Sequence, residues 1–274
     1  MKLPSDPSAE VVFPRGTVIE QDWSVVVRGL ARALDGLPSQ SPSAAAQAAM
    51  RTLRVLIAAD EEYRRVGDWE EHARSLAEGA SHILELQFGI RLEPVGYASW
   101  VSSDRPQAPD QHLQSLVRQV HPDSVDIVLG IIGQREPDPA AGPSELVGTS
   151  EPFGRTVLIA WEAFDVRASA LAEVFAGAAV AQEVMHLFGV PRTGRRERLR
   201  ANGWIGVPLE LGGGREIIDL TRDRAFQDAQ PVDVPVDSLD PIYRRVGGEG
   251  LRILDKLRDE EATPPAADVD ATEP

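Results

Sequence analysis

Gln182, Glu183 and His186 are the residues of this chain whose types and spacing come closest to a reaction centre. On a helix, positions four apart share a face. Two imidazoles at that spacing can grip one zinc ion, and a glutamate between them can take a proton from metal-bound water. Glu183 stands at the base position and His186 at the second ligand position. Gln182 stands where the first imidazole would be. A glutamine oxygen is neutral and a poorer ligand than imidazole. Zinc enzymes hold the metal with three protein ligands and leave one position for water, so one histidine is too few.

The helix carrying these residues must be buried. Residues 168–188 are apolar nearly all round, the pattern of a helix in a domain centre. Before it come elements in regular order. Leu53–Ala59 is a compact apolar run that predicts a buried strand. Asp68 and Glu71 have capping-box spacing, and Trp69, Ala73, Leu76, Ala80, Ile83 and Leu84 form one helical stripe that Gly89 ends. Residues 90–100 read as a second strand, 111–120 as a short helix, 125–132 as a third strand and 155–160 as a fourth. Strands alternating with helices predict an α/β fold with a mainly parallel sheet. After Pro191 the pattern weakens. Residues 217–220 read as a short strand or a turn of helix, and 251–257 as a final helix.

The flanks differ in composition. Residues 1–50 hold a helical stripe over 23–35, a Pro/Ser linker over 38–43 and a short helix after Ala44, and form an N-terminal extension. Residues 51–258 are the main domain. Residues 259–274 are rich in Asp, Glu, Pro and Ala and read as a disordered acidic tail.

Residues 53–190 resemble a bacterial matrixin-like zinc metalloprotease of the metzincin clan. The resemblance lies in Ala59-Asp60-Glu61-Glu62-Tyr63-Arg64, in Phe88-Gly89-Ile90-Arg91-Leu92 and in Asp126-Ile127-Val128-Leu129-Gly130. It continues in Glu183-Val184-Met185-His186-Leu187-Phe188-Gly189 and extends toward residues 217–224. It implies a mixed, mainly parallel twisted sheet, a long buried active-site helix and a small irregular C-terminal subdomain. The family motif is His-Glu-x-x-His-x-x-Gly-x-x-His or Asp, and on this chain it reads Gln182, Glu183, His186, Gly189 and Arg192. A cation thus replaces the third ligand. The family's methionine turn below the metal has no counterpart, since no methionine follows Met185.

Two functions stay open on this reading. One is a metzincin-like domain that has lost, or nearly lost, peptidase activity, holds no metal and acts as a binding or regulatory module for a peptide or protein. The other is an active zinc-dependent protease with an atypical ligand set around His186. An inert structural domain whose cleft the arginine loop fills is a third. His186 is either a buried histidine bonded to Gln182 or a nearby carbonyl, or a residual ligand. Glu183 needs a partner inside an apolar helix, and Arg192 or a neighbouring arginine can supply it. Arg192, Arg195, Arg196, Arg198 and Arg200 form either a solvated loop or an anion-binding site for an acidic peptide. His72, His82, His112 and His121 show no ligand spacing, and Gly212–Gly214 lacks the context of a phosphate loop.

Composition excludes several classes. A net charge of −15 argues against a nucleic-acid surface. No apolar run reaches the length of a membrane span. Without cysteines there is neither disulfide nor thiolate metal site. No export segment follows Met1, which implies the cytoplasm for the sequence as given, and export if the start lies upstream.

Overall fold

The structure, a computed structural model, describes residues 50–103, 109–121, 124–133, 148–160, 170–192, 214–224, 226 and 236–262. The predicted helices over 23–35 and after Ala44 lie outside them, as do Arg195, Arg196 and residues 263–274.

Five strands form one sheet in the order β2-β1-β3-β5-β4. They are β1 (Arg51–Ala59), β2 (Ile90–Ser99), β3 (Ile127–Ile132), β4 (Gly148–Ser150) and β5 (Thr156–Ala160). β1, β2, β3 and β5 run parallel, and β4 pairs antiparallel with β5 at one edge. The chain steps from β1 to β2 on one side, then back past β1 to β3 on the other. With right-handed crossovers, connections in opposite directions place their helices on opposite faces. Accordingly α1 (Trp69–Phe88) packs on one face and α2 (Pro109–Gln119) on the other.

The two faces divide each strand by alternation. Leu53, Val55, Ile57 and Ala59 of β1 face the larger core with Leu76, Ala80 and Leu84 of α1, whereas Ala58 meets Leu113 and Leu116 of α2 on the other side. Gly130 of β3 leaves the room that Leu116 fills. The long apolar helix is α3 (Ala170–Leu187), on the same face as α1. Gly79 of α1 and Gly177 of α3 meet nearly backbone to backbone; a methyl group on Gly79 would lie 3.8 Å from the Gly177 Cα. Small residues at the crossing let α1 and α3 approach closely.

Three further helices follow among the described residues: α4 (Gly214–Thr221), α5 (Val236–Val246) and α6 (Glu249–Ala262). Ile217, Ile218, Leu239, Tyr243 and Leu254 join the larger core. The described part of the C-terminal region is therefore helical and shares the main core. Residues 217–220, open between strand and helix in the sequence, are helical.

Two sequence expectations need correction. Asp68 forms no capping box: its backbone is left-handed (φ 55°), and its side chain makes no cap hydrogen bond. Its carbonyl still accepts the His72 N–H at 3.0 Å, so the helix starts there without side-chain help. α6 continues to Ala262 and so takes in residues 259–262, the first four of the predicted disordered tail. Ile253 and Leu254 anchor α6 in the core, and Glu and Ala are good helix formers that carry it onward. α5, with Pro241 inside it, had no counterpart among the sequence expectations. No helix among the described residues is long and apolar enough to cross a membrane.

Candidate functional site

The motif residues sit at the C-terminal end of α3. Glu183 and His186 are 5% and 3% exposed, and Gln182 is half-buried. The helix stops at Gly189. The Gly189 N–H reaches the His186 carbonyl at 2.9 Å and the Val190 N–H reaches the Met185 carbonyl at 3.2 Å. With Gly189 left-handed at φ +85°, this is a Schellman closure, which satisfies carbonyls that a helix end leaves bare. A Cβ at 189 would collide with the Phe153 ring and the Tyr243 hydroxyl. That hydroxyl donates to the Gly189 carbonyl at 2.8 Å. The turn is thereby fixed, and the chain after it is sent back across α3.

Arg192 is what returns. Its Nη1 donates to Glu183 Oε1 at 2.9 Å and its Nη2 to Oε2 at 2.5 Å, a two-pronged ion pair. Ser150 of β4 approaches the same carboxylate, its hydroxyl 2.7 Å from Oε2 and 3.1 Å from the Glu183 carbonyl. Arg192 Nη2 lies 3.3 Å from the Ser150 carbonyl. β4 is placed for this by alternation: Ser150 and Gly148 face α3, while Thr149 donates to Asp110 of α2 at 3.1 Å. Gly148 has to be small, because a Cβ there would lie 2.8 Å from Glu183 Cγ.

Glu249, at the start of α6, also meets Arg192. Burial raises its carboxyl pKa, opposed by the Arg192 charge and by a hydrogen bond from the Arg192 backbone N–H. One arginine thus serves two half-to-fully buried glutamates.

His186 is arranged differently. Its Nδ1 lies 2.5 Å from the Val190 carbonyl, so Nδ1 carries the proton and donates. Burial lowers its pKa, and the nearby Arg192 charge acts in the same direction against the pull of Glu183. The ring is therefore neutral, with its lone pair on Nε2. That nitrogen is buried and has no hydrogen-bond partner among the described residues. A backbone-anchored Nδ1 and a bare Nε2 are what a metal-ligating histidine presents.

The remaining donors do not complete a zinc site. Gln182 offers only a neutral amide. Both oxygens of Glu183 are held by Arg192 and Ser150. The third ligand position carries the guanidinium itself, a fixed positive charge against which Zn²⁺ would have to bind. Among the described residues the imidazole of His186 is the lone zinc-type ligand that is ready at this place.

The structure therefore brings together Gln182, Glu183, His186 and Arg192 at one helix end. Sequence reasoning missed Ser150, Glu249 and Tyr243. Ser150 lies in a three-residue strand without periodicity, and Glu249 and Tyr243 come from helices that carry no motif. Nothing local in the sequence could have marked them.

No protein-family model matches this chain, and no curated protein matches it in sequence. Solved structures do resemble it at low identity. Archaemetzincin from Methanopyrus kandleri aligns over 76% of this chain and 99% of its own length, at 12% identity and a TM-score of 0.42. Metalloproteinase II from Bacteroides fragilis aligns over 60% of this chain and 51% of its own, at 14% identity and a TM-score of 0.31. A chain in a chaperone–substrate complex aligns over 53% of this chain and 24% of its own, at 17% identity and a TM-score of 0.37. This chain thus spans about a quarter of the chaperone-complex chain and about half of the Bacteroides enzyme. At such values the side chains of this chain, and not the neighbours, decide what the site can do.

Proposed function

We propose that this chain is a metzincin-like domain that has lost, or nearly lost, zinc peptidase activity and acts as a binding or regulatory module for a peptide or protein. The observation that carries this reading is the Arg192–Glu183 pair, in which both oxygens of the would-be general base are bonded to a guanidinium. Three hydrogen bonds already fall on this carboxylate, two from Arg192 and one from Ser150, and without bound metal a water beside it keeps its high pKa. The pair does structural work instead: it neutralises a carboxylate buried in an apolar helix and ties the chain after Gly189 to α3 and β4. Arg195 and Arg196, downstream of Arg192, are the residues we assign to contact with an acidic partner segment.

The test is cleavage of an unfolded protein substrate with zinc supplied. The reading expects no hydrolysis above background, and no difference between the wild-type chain and Glu183→Ala. Turnover that disappears in Glu183→Ala would overturn it.

One observation favours the second reading, an active zinc protease with an unusual ligand set. His186 presents a buried, unpartnered Nε2. Binding of zinc through it would require Arg192 to leave Glu183, and in that case zinc uptake and the loss of the ion pair would occur together.

A further inference from the structure

The sheet ends at β4 on the side of the α3 site and at β2 on the other. An edge strand presents backbone donors and acceptors that no neighbouring strand takes up, and β2 closes most of its own. Along a strand, successive backbone groups point to opposite sides. The Trp100 N–H, just after β2, bonds inward to the Ala59 carbonyl at 3.2 Å, so Tyr97, Ser99 and Val101 point outward. At Val101 the Gln119 side chain covers the edge. Its amide nitrogen donates to the Val101 carbonyl at 2.9 Å, and its oxygen accepts the Val101 N–H at 3.0 Å. At Leu92 the N–H goes to Ser81 Oγ of α1 at 2.9 Å. Pro94, two residues on, has no N–H to leave bare, and a bulge at Val95 then shifts the register. Tyr97 and Ser99 are left, among the described residues, as outward positions whose N–H groups no side chain takes.

A groove opens beside these two residues on the α1 face. Trp69 and Tyr97 form its apolar part, with their rings edge to face at 5.6 Å. The Tyr97 hydroxyl donates to the Glu70 carbonyl at 3.2 Å and holds the ring in place. Tyr97 is 38% exposed and Val95, beside it on the strand, 41%. Asp68, Glu70 and Glu71, all exposed, give the groove a rim of carboxylates. Arg74 lines it too, and pairs with Glu71. Asp68 and Glu70 have no ion pair among the described residues.

We propose that the outer edge of β2 at Tyr97 and Ser99 binds an extended protein segment carrying lysine or arginine, which joins the sheet as a further strand. The backbone of the added strand exchanges hydrogen bonds with Tyr97 and Ser99. Its alternate side chains face the groove. A basic one there meets the rings of Trp69 and Tyr97 and the carboxylates of Asp68 and Glu70. Charge decides the occupant. A second copy of this chain, paired edge to edge, would bring two acidic rims together in a protein of net charge −15. A basic segment is attracted by the rim and by the whole chain. The site lies at the opposite edge of the sheet from β4. It shares no residue with the end of α3 and stands whether or not Glu183 is catalytic.

The test uses the full chain and a capped peptide of about seven residues that alternates valine and lysine, beside one that alternates valine and glutamate. Tryptophan fluorescence follows binding, and amide hydrogen exchange locates it. The expected result is saturable binding of the lysine peptide, none of the glutamate peptide, and exchange at Tyr97 and Ser99 slowed by about tenfold or more at saturation. Ser99→Pro removes an outward N–H that the sheet does not use. Glu70→Lys inverts a rim charge and keeps the carbonyl that Tyr97 meets. Each is expected to weaken the lysine peptide about fivefold or more. Should Ser99→Pro fail to fold, Glu70→Lys and the exchange at Ser99 in the wild type decide. No binding of the lysine peptide overturns the proposal. So does equal binding of the glutamate peptide, binding that leaves exchange at Tyr97 and Ser99 unchanged, or a dimer of the chain alone that Ser99→Pro dissociates.

Discussion

Glu183 and Asp60 are both buried carboxylates on the same sheet-and-helix scaffold, 5% and 0% exposed, and the chain treats them in opposite ways. Glu183 is given a guanidinium and a hydroxyl of its own. Asp60 is given two backbone N–H groups and a hydrogen bond with Ser102, and no salt bridge among the described residues. A buried charge that its own chain neutralises is complete, and needs no ligand. A buried carboxylate with hydrogen bonds but no cation favours keeping its proton. The helix end that looks like a metal site in sequence is thus the one whose buried carboxylate carries an ion pair, and the acidic turn after β1 holds a buried carboxylate without one among the described residues.

The comparison breaks most visibly at Arg192. Arg192→Leu leaves Glu183 buried without its cation and is expected to cost about 3–5 kcal/mol. The double variant Glu183→Leu/Arg192→Leu is expected to recover most of that loss, because the uncompensated charge goes with its partner. Urea denaturation of the three proteins measures it. A double variant as unstable as Arg192→Leu would mean that packing, not charge, explains the loss.

At Asp60 the sign is reversed. Burial raises its folded-state pKa to about 6, above the unfolded value of about 4. The protonated carboxyl therefore favours folding below about pH 4, and this contribution is lost as pH rises through about 6. In chelator at pH 8, Asp60→Asn is expected to stabilise the chain by roughly 1–3 kcal/mol, and at pH 4 to change little. Equal effects at both pH values would contradict a carboxylate whose pKa burial raises.

The smallest effect is expected at Ser150. Ser150→Ala removes one hydrogen bond to Glu183 Oε2 while Arg192 stays, and about 1 kcal/mol is expected from a urea melt. A loss as large as that of Arg192→Leu would make Ser150, rather than the guanidinium, the main support of the carboxylate.

Much of this scaffold was legible because apolar runs and stripes announce themselves. β1, β3 and α3 are visible as continuous hydrophobic segments, and α1 as a stripe closed by Gly89, which does adopt the left-handed cap at φ 65°. β4 was invisible: three residues, Gly148-Thr149-Ser150, carry no period, and the strand exists because the edge of β5 offers it unpaired backbone. α5 was hidden by Pro241, which the burial of Leu239, Ile242 and Tyr243 overrides. At the helix end, the need of Glu183 for a partner could be read from burial alone, and Arg192 was a candidate within reach. Ser150 and Glu249 could not be read, since they come from distant elements brought there by the sheet and by α6. The acidic run after β1 was plain in the sequence only as part of a family likeness; its physical interest depends on the complete burial of Asp60, which no sequence displays.

The central claim is that the end of α3 is closed by Arg192 and holds no zinc. The direct measurement is the metal content of the full chain purified without chelator and dialysed against zinc, beside His186→Ala. The account predicts far less than one zinc per chain and no difference between the two proteins. One zinc per wild-type chain that is lost in His186→Ala would contradict it.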